Sequence, residues 1–332
     1  MPHNPSAKGM PFPLGGRSGA FKESVGALSL SPDGKSVAGA VQDGTIGVWE
    51  VATGRELKRL SKVAPHLHTL VWATDGRILT AGLWGVISFD AKTFQELSRW
   101  PIQTRTDAGD FTRDGRLLVT GNTHFIGYVI DATTGKPQGA AYPGKQEWTF
   151  AIAFSPSGKK LAVAGRNPDQ DTIFLSEPKD FKIRLHFEPS MGRLFRVLFS
   201  PDDAKLVTVG ESDEIRLWDL ATGKLIQTLR AAAKGVTSAA FTPDGQTIAT
   251  GCGAPIGRMT PNTFEFSGRR DIPAEDPKPR LIQQFDVTGK ELWRSQELKS
   301  WATHLIVTPD GKRLISGHAD GSVLRWELPS RP

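Results

Sequence analysis

One short turn recurs along this chain and constrains its fold more than any other feature. It stands as SPDGK from Ser31 and returns as TDGR at Thr74, RDGR at Arg113, PSGK at Pro156, PDDAK at Pro201, PDGQ at Pro243 and PDGK at Pro309. Pro is pre-set for the second place of a type I turn and Gly takes the positive φ that closes it, so each copy joins two extended segments. The stretch from Leu28 to Leu60, LSLSPDGKSVAGAVQDGTIGVWEVATGRELKRL, displays a whole unit. SPDGK, QDG and ATGR divide it into four pieces, in which Leu28, Leu30, Val37, Ile46 and Val48 alternate with small or polar residues as strands require. With Asp203 standing in once for glycine, the turn markers are Gly34, Gly76, Gly115, Gly158, Asp203, Gly245 and Gly311, separated by 42, 39, 43, 45, 42 and 66 residues. Seven four-strand units with a period of about 40 predict a β-propeller.

On these residues the chain resembles the WD-repeat β-propellers, in the bacterial style with SPDGK, DGxIxxW and ATGK in each unit, over nearly its whole length. The Trp-acid pair ending the third strand reads Trp49-Glu50, Trp218-Asp219 and Trp326-Glu327, and is degraded to Phe89-Asp90, Ile130-Asp131, Leu175-Ser176 and Phe285-Asp286. The family's Gly-His before the first strand is missing: Phe21, Val63, Ser190, Ala232 and Leu298 hold the alignable His positions. The His-Ser-Trp-Asp hydrogen-bonded tetrad of the family is therefore expected to be absent. The last unit, Trp301 to Leu328, stops after its third strand. The resemblance implies that residues 1–24 supply the missing outer strand. Phe12 to Phe21 are the candidates, the Arg17–Phe21 half preferred because Pro11 and Pro13 lack donors. The expected architecture is all-β: a single seven-bladed β-propeller of four-stranded antiparallel blades, its ring closed by the N-terminal segment, with repeats over 25–332 and an insertion at 252–280 in the sixth.

Composition narrows the setting. The lone Cys252 leaves no disulfide framework and fits a reducing, cytoplasmic compartment. No stretch has the apolar length of a membrane helix, and the Pro-broken N-terminus does not read as a secretory signal. The net charge of +6 raises a nucleic-acid reading. Yet Lys35, Arg55, Lys58, Lys159, Lys224 and Lys312 are spread one or two per unit over turns and outer strands, a pattern of guarded edges rather than a phosphate track.

No GxSxG, HExxH, CxxC, P-loop or dinucleotide fingerprint is present, and neither a catalytic set nor a cofactor nor a metal is expected. His66, His68, His124 and His318 fall on turns of separate blades and read as surface polar residues. Asp43, Asp213 and Asp320 read as turn caps. Four antiparallel strands alternate ends, so the second hairpins and the links entering first strands share one face, here called the top. Trp84, Arg105, Phe125, Trp148, Phe150, Arg193, Phe195 and Trp301 all fall there, and the insertion adds Phe264 and Phe266. Trp and Arg are the types that dominate binding hot spots. The expectation is a non-catalytic scaffold that binds a protein or peptide through its top face and insertion, as a monomer or within a hetero-complex. The alternatives are a propeller hydrolase or lactonase acting at the channel mouth, and a nucleic-acid-binding propeller.

Overall fold

The computed structural model describes residues 10–11, 23–82, 85–102, 108–121, 128–140, 148–166, 171–178, 180, 183–187, 194–254 and 279–329. These residues form seven antiparallel four-stranded sheets, and the strands follow chain order from inside to outside in six of them. The innermost strands are Val25–Leu30, Thr69–Trp72, Ala108–Phe111, Trp148–Phe154, Leu194–Phe199, Ser238–Phe241 and Ala302–Val307. Each touches the innermost strand of the next blade, and the seventh touches the first, so the ring closes.

The recurring turn folds for the reason its residues suggest. Ser31 Oγ donates to Asp33 Oδ1, Asp33 Oδ1 accepts the Lys35 amide at 3.0 Å, and Gly34 sits at φ 69°. Thr112 with Asp114, Thr242 with Asp244 and Thr308 with Asp310 repeat the arrangement. The acid that follows the third-strand aromatic position has the same kind of role: Asp90 Oδ1 accepts the Thr93 amide at 2.7 Å and Asp131 Oδ1 the Thr133 amide at 2.8 Å. These hydrogen bonds favour the ionised form and hold Asp33, Asp90 and Asp131 below the ordinary carboxylate range. Asp43 and Asp320 cap their hairpins as expected. Asp213 differs: its carboxylate pairs with Arg230 at 3.1 Å, and Ser212 Oγ accepts the Glu214 amide instead.

The apolar core lies between blades. Val25, Leu28, Val37, Val41, Trp49 and Val51 of blade 1 pack with Ile315 and Val323 of blade 7, which makes the closing seam as apolar as any other. Trp49, Trp218 and Trp326 are all buried, as their repeat position predicts. In blade 1 the indole lies over glycines: a Cβ on Gly47 would come within 2.2 Å of Trp49.

Two expectations need correction here. Among the described residues the outer strand of blade 7 is Met10–Pro11, paired to Arg325 and Leu324, so Pro11 pairs although its missing donor argued against it; Phe12–Phe21 lies outside the described residues. An outermost strand has a neighbour on one side only, so a residue without an N–H is tolerated there. The seam is also tied by Thr303 Oγ1, which donates to Val25 O at 2.8 Å, and by Arg325 Nη1, which donates to Val51 O at 2.9 Å.

The second correction concerns the tetrad. In blade 7 Trp326 Nε1 donates to Ser316 Oγ at 2.8 Å, Ser316 Oγ meets His318 Nε2 at 2.7 Å, and His318 Nδ1 meets Ser300 O at 3.2 Å. A carbonyl can only accept, so the proton sits on Nδ1 and Nε2 accepts from the serine. A Trp-Ser-His chain therefore exists without the family's Gly-His, its histidine coming from the end of the second strand. His318 is buried, not a surface residue. Burial pushes its pKa below the ordinary histidine value, partly offset by the Ser300 carbonyl. In blade 5 Trp218 Nε1 likewise donates to a second-strand hydroxyl, Thr208 Oγ1, at 3.0 Å.

Candidate binding site: the top face and the central channel

The seven inner strands line the channel, and their register is fixed by the turn that follows each. Counting back three places from the last strand residue gives Ala27, Thr69, Ala108, Ala151, Arg196, Ser238 and His304. Five are small, and blades 5 and 7 alone place a long polar side chain there. One place before the last residue, blade 3 carries Asp110 where the others carry Ser29, Val71, Ala153, Leu198, Ala240 and Ile306. The three exceptions meet in the ring's interior. Each is half-covered by neighbouring atoms, and burial dominates the titration of all three.

Their environments differ. Asp110 Oδ1 accepts the Phe111 amide at 2.9 Å, and Oδ2 accepts the Phe154 amide of blade 4 at 2.8 Å. Ser29 does the same two seams earlier, its Oγ accepting the Trp72 amide at 2.9 Å. Both side chains thus satisfy an inner-strand amide of the next blade that has no strand partner on the channel side. Burial pushes the Asp110 carboxyl up to about 7, opposed by those two amides and by the Arg196 charge. Arg196 crosses from blade 5 to blade 7, where Nη2 donates to Thr303 O at 3.2 Å. Burial lowers its pKa and Asp110 counters that. His304 is held well below its ordinary value by burial first and by the Arg196 charge second. Its Nδ1 is covered and has no hydrogen-bond partner.

Of the top-face residues chosen from sequence, Trp84, Arg105, Phe125, Arg193, Phe264 and Phe266 lie outside the described residues, as does His124. Trp148 and Phe150 belong to the first strand of blade 4, with their side chains likewise outside the description. Phe195 is half-buried at a bulge between Leu194 and Arg196, next to the channel arginine. Trp301 is half-buried, and the Arg280 guanidinium lies 5.6 Å from its ring centroid. That pairing, reinforced by Arg280 Nη1 donating to Lys299 O at 3.0 Å, docks one stem of the blade-six insertion on the link into blade 7. The other stem is held by the Gly253 amide on Lys234 O at 3.1 Å and the Ala254 amide on Gly235 O at 3.2 Å. Cys252 pairs with Leu281 below both stems and is buried, which raises its thiol pKa. Among the described residues no group of three or more His, Cys, Asp or Glu is placed to hold a metal ion, and no helix is long and apolar enough to cross a membrane.

Sequence reasoning missed Asp110, Arg196 and His304. The available signal was their register: a charged or imidazole side chain at inner-strand places that other blades fill with small or apolar residues.

Comparison with known proteins agrees with the ring and its turns. A family model described as "WD domain, G-beta repeat" matches residues 16–50 and 223–253. The chain is a WD-repeat β-propeller. This WD-repeat chain is 30% identical over 186 residues to a WD repeat-containing protein WDS homolog of Arabidopsis thaliana, a match covering 54% of this chain and 31% of that protein. It is 24% identical over 196 residues to the small ribosomal subunit protein RACK1y of Oryza sativa subsp. japonica, covering 59% and 52%. It is 29% identical over 184 residues to eukaryotic translation initiation factor 3 subunit I of Phaeosphaeria nodorum, covering 53% and 51%. The matches thus span between about a third and a half of these relatives' lengths.

Proposed function

We propose that this WD-repeat propeller is a non-catalytic binding platform that takes a protein or peptide partner on its top face, beside the channel. The observation that carries the reading is the Trp301–Arg280 pair: a half-exposed indole and a guanidinium, the two side chains most suited to a binding hot spot, set where the insertion returns to blade 6. Trp84, Arg105, Phe125, Trp148, Phe150, Arg193, Phe195, Phe264 and Phe266 belong to the same proposed surface. Two relatives bear the names of a ribosomal subunit protein and an initiation-factor subunit, which supports a role within assemblies.

The test is affinity capture with wild type and with a folded variant carrying Trp148→Ala, Arg193→Ala and Trp301→Ala. A partner enriched by wild type and lost by the variant supports the top face. Equal capture by both sinks it and moves the interface to the outer wall or the opposite face.

A further inference from the structure

The channel side chains have an arrangement that blade packing does not require. Thr303 lies at a bulge between Ala302 and His304, and the Arg196 guanidinium donates to its carbonyl, yet an alanine at the Arg196 place serves blades 1, 3 and 4. No direct ion pair joins Arg196 to Asp110, and no second hydrogen bond to the guanidinium occurs among the described residues. Both Asp110 oxygens are engaged by backbone amides. Burial, moreover, favours the uncharged form of this carboxyl, so it neutralises Arg196 weakly near neutral pH. A cation held deep in a ring, with donors left over and a poor counter-charge, is a site for an anion. His304 stands beside it on the blade that Arg196 reaches. With Nδ1 covered, Nε2 is the ring nitrogen left to meet a guest. Blade 6, between the two, carries the small side chains Ser238, Ala239 and Ala240 on its inner strand.

We propose that the central channel binds a carboxylate group of an acidic peptide, seated on the Arg196 guanidinium and flanked by His304. A planar fork of N–H donors matches the two oxygens of a carboxylate better than a single-point anion. The inference rests on the top-face platform reading, because an acidic segment reaches Arg196 by entering from that face.

The test uses the full chain and two probes: a fluorescein-labelled Glu-Gly repeat octapeptide, with its Gln-Gly counterpart as control, and free succinate as competitor. Wild type binds the Glu peptide in preference to the Gln peptide. Arg196→Gln weakens binding about tenfold or more, whereas Arg196→Lys, which keeps charge but loses the fork, falls between. Asp110→Asn removes the competing carboxyl and tightens binding, a change of sign that a merely structural role would not give. Thermal melts of each variant verify folding, and His304→Gln supplies a second variant should Arg196→Gln fail to fold. Succinate that displaces the peptide supports the shared carboxylate chemistry. Succinate that binds through Arg196 while the peptide does not overturns the peptide assignment. Equal binding of Glu and Gln peptides, or affinity unchanged in Arg196→Gln, overturns the proposal. If the triple top-face variant loses its captured partner while Arg196→Gln keeps it, the platform reading stands and this inference falls.

Discussion

Replacing Ser316 by alanine tests the Trp-Ser-His chain directly. The hydroxyl is fully buried, accepts the Trp326 indole N–H at 2.8 Å and donates to His318 Nε2 at 2.7 Å. Ser316→Ala deletes one small atom, so the cavity contribution is minor and the loss is that of two buried polar groups left without their partner. Each orphan costs about 1–3 kcal/mol, which places the variant about 3 kcal/mol below wild type. Thr208→Val in blade 5 is the internal standard. It keeps the side-chain shape and breaks the Trp218 indole bond of 3.0 Å, a loss expected to cost about 1–2 kcal/mol. Urea midpoints at pH 7.5, with unchanged m-values, read both. Trp326→Phe with and without Ser316→Ala completes a double-mutant cycle, with an expected coupling of about 1 kcal/mol. A Ser316→Ala cost no larger than that of Thr208→Val would refute the relay, since the histidine would then contribute nothing through the serine.

Three further outcomes follow from the same contacts. Gly47→Ala drives a methyl against the Trp49 indole at 2.2 Å and should lower stability by about 1–3 kcal/mol, read as a fall in melting temperature, while Gly76→Ala, with nothing within 4 Å but φ 88°, tests backbone strain alone. Thr303→Val breaks the blade 7 to blade 1 bond on Val25 O and should raise amide exchange along Val25–Leu30 more than along Leu194–Phe199, as measured by hydrogen exchange. The pH dependence has two opposed parts. Asp110 has a folded pKa of about 7 against 3.8 unfolded, so the folded chain takes up a proton and gains stability as pH falls from about 7 toward 4, by at most about 4 kcal/mol, and Asp110→Asn abolishes that gain. His318 has a depressed folded pKa, so stability is lost as pH falls below about 6.5, and His318→Gln flattens that limb of a urea-midpoint profile.

The propeller was legible because each of its devices is local. SPDGK is a turn wherever it stands, since Pro, the capping Asp and the positive-φ Gly act within five residues, and seven copies at one spacing leave one way to bury the strands between them. The third-strand Trp and its acid are local too: one enters the space between sheets, the other caps the turn that follows. The closing strand was harder, because pairing Met10 and Pro11 with Leu324 and Arg325 depends on where the last blade's edge lies, and a preference against proline points away from the residues that pair.

What tertiary structure alone decided is where side chains from distant blades meet. Asp110, Arg196 and His304 are about a hundred residues apart and carry no shared motif; they converge because inner strands of the third, fifth and seventh blades face one channel. His318 reads as a hairpin polar residue until the blade folds and brings Ser300 and Ser316 against its two nitrogens. Sequence by itself set the repeat, the turns and the blade count, which depend on hydrogen bonds a few residues long. Burial, proton affinity and the charge pattern of the channel are properties of the closed ring, because desolvation and Coulomb interaction act through space between residues the chain keeps far apart.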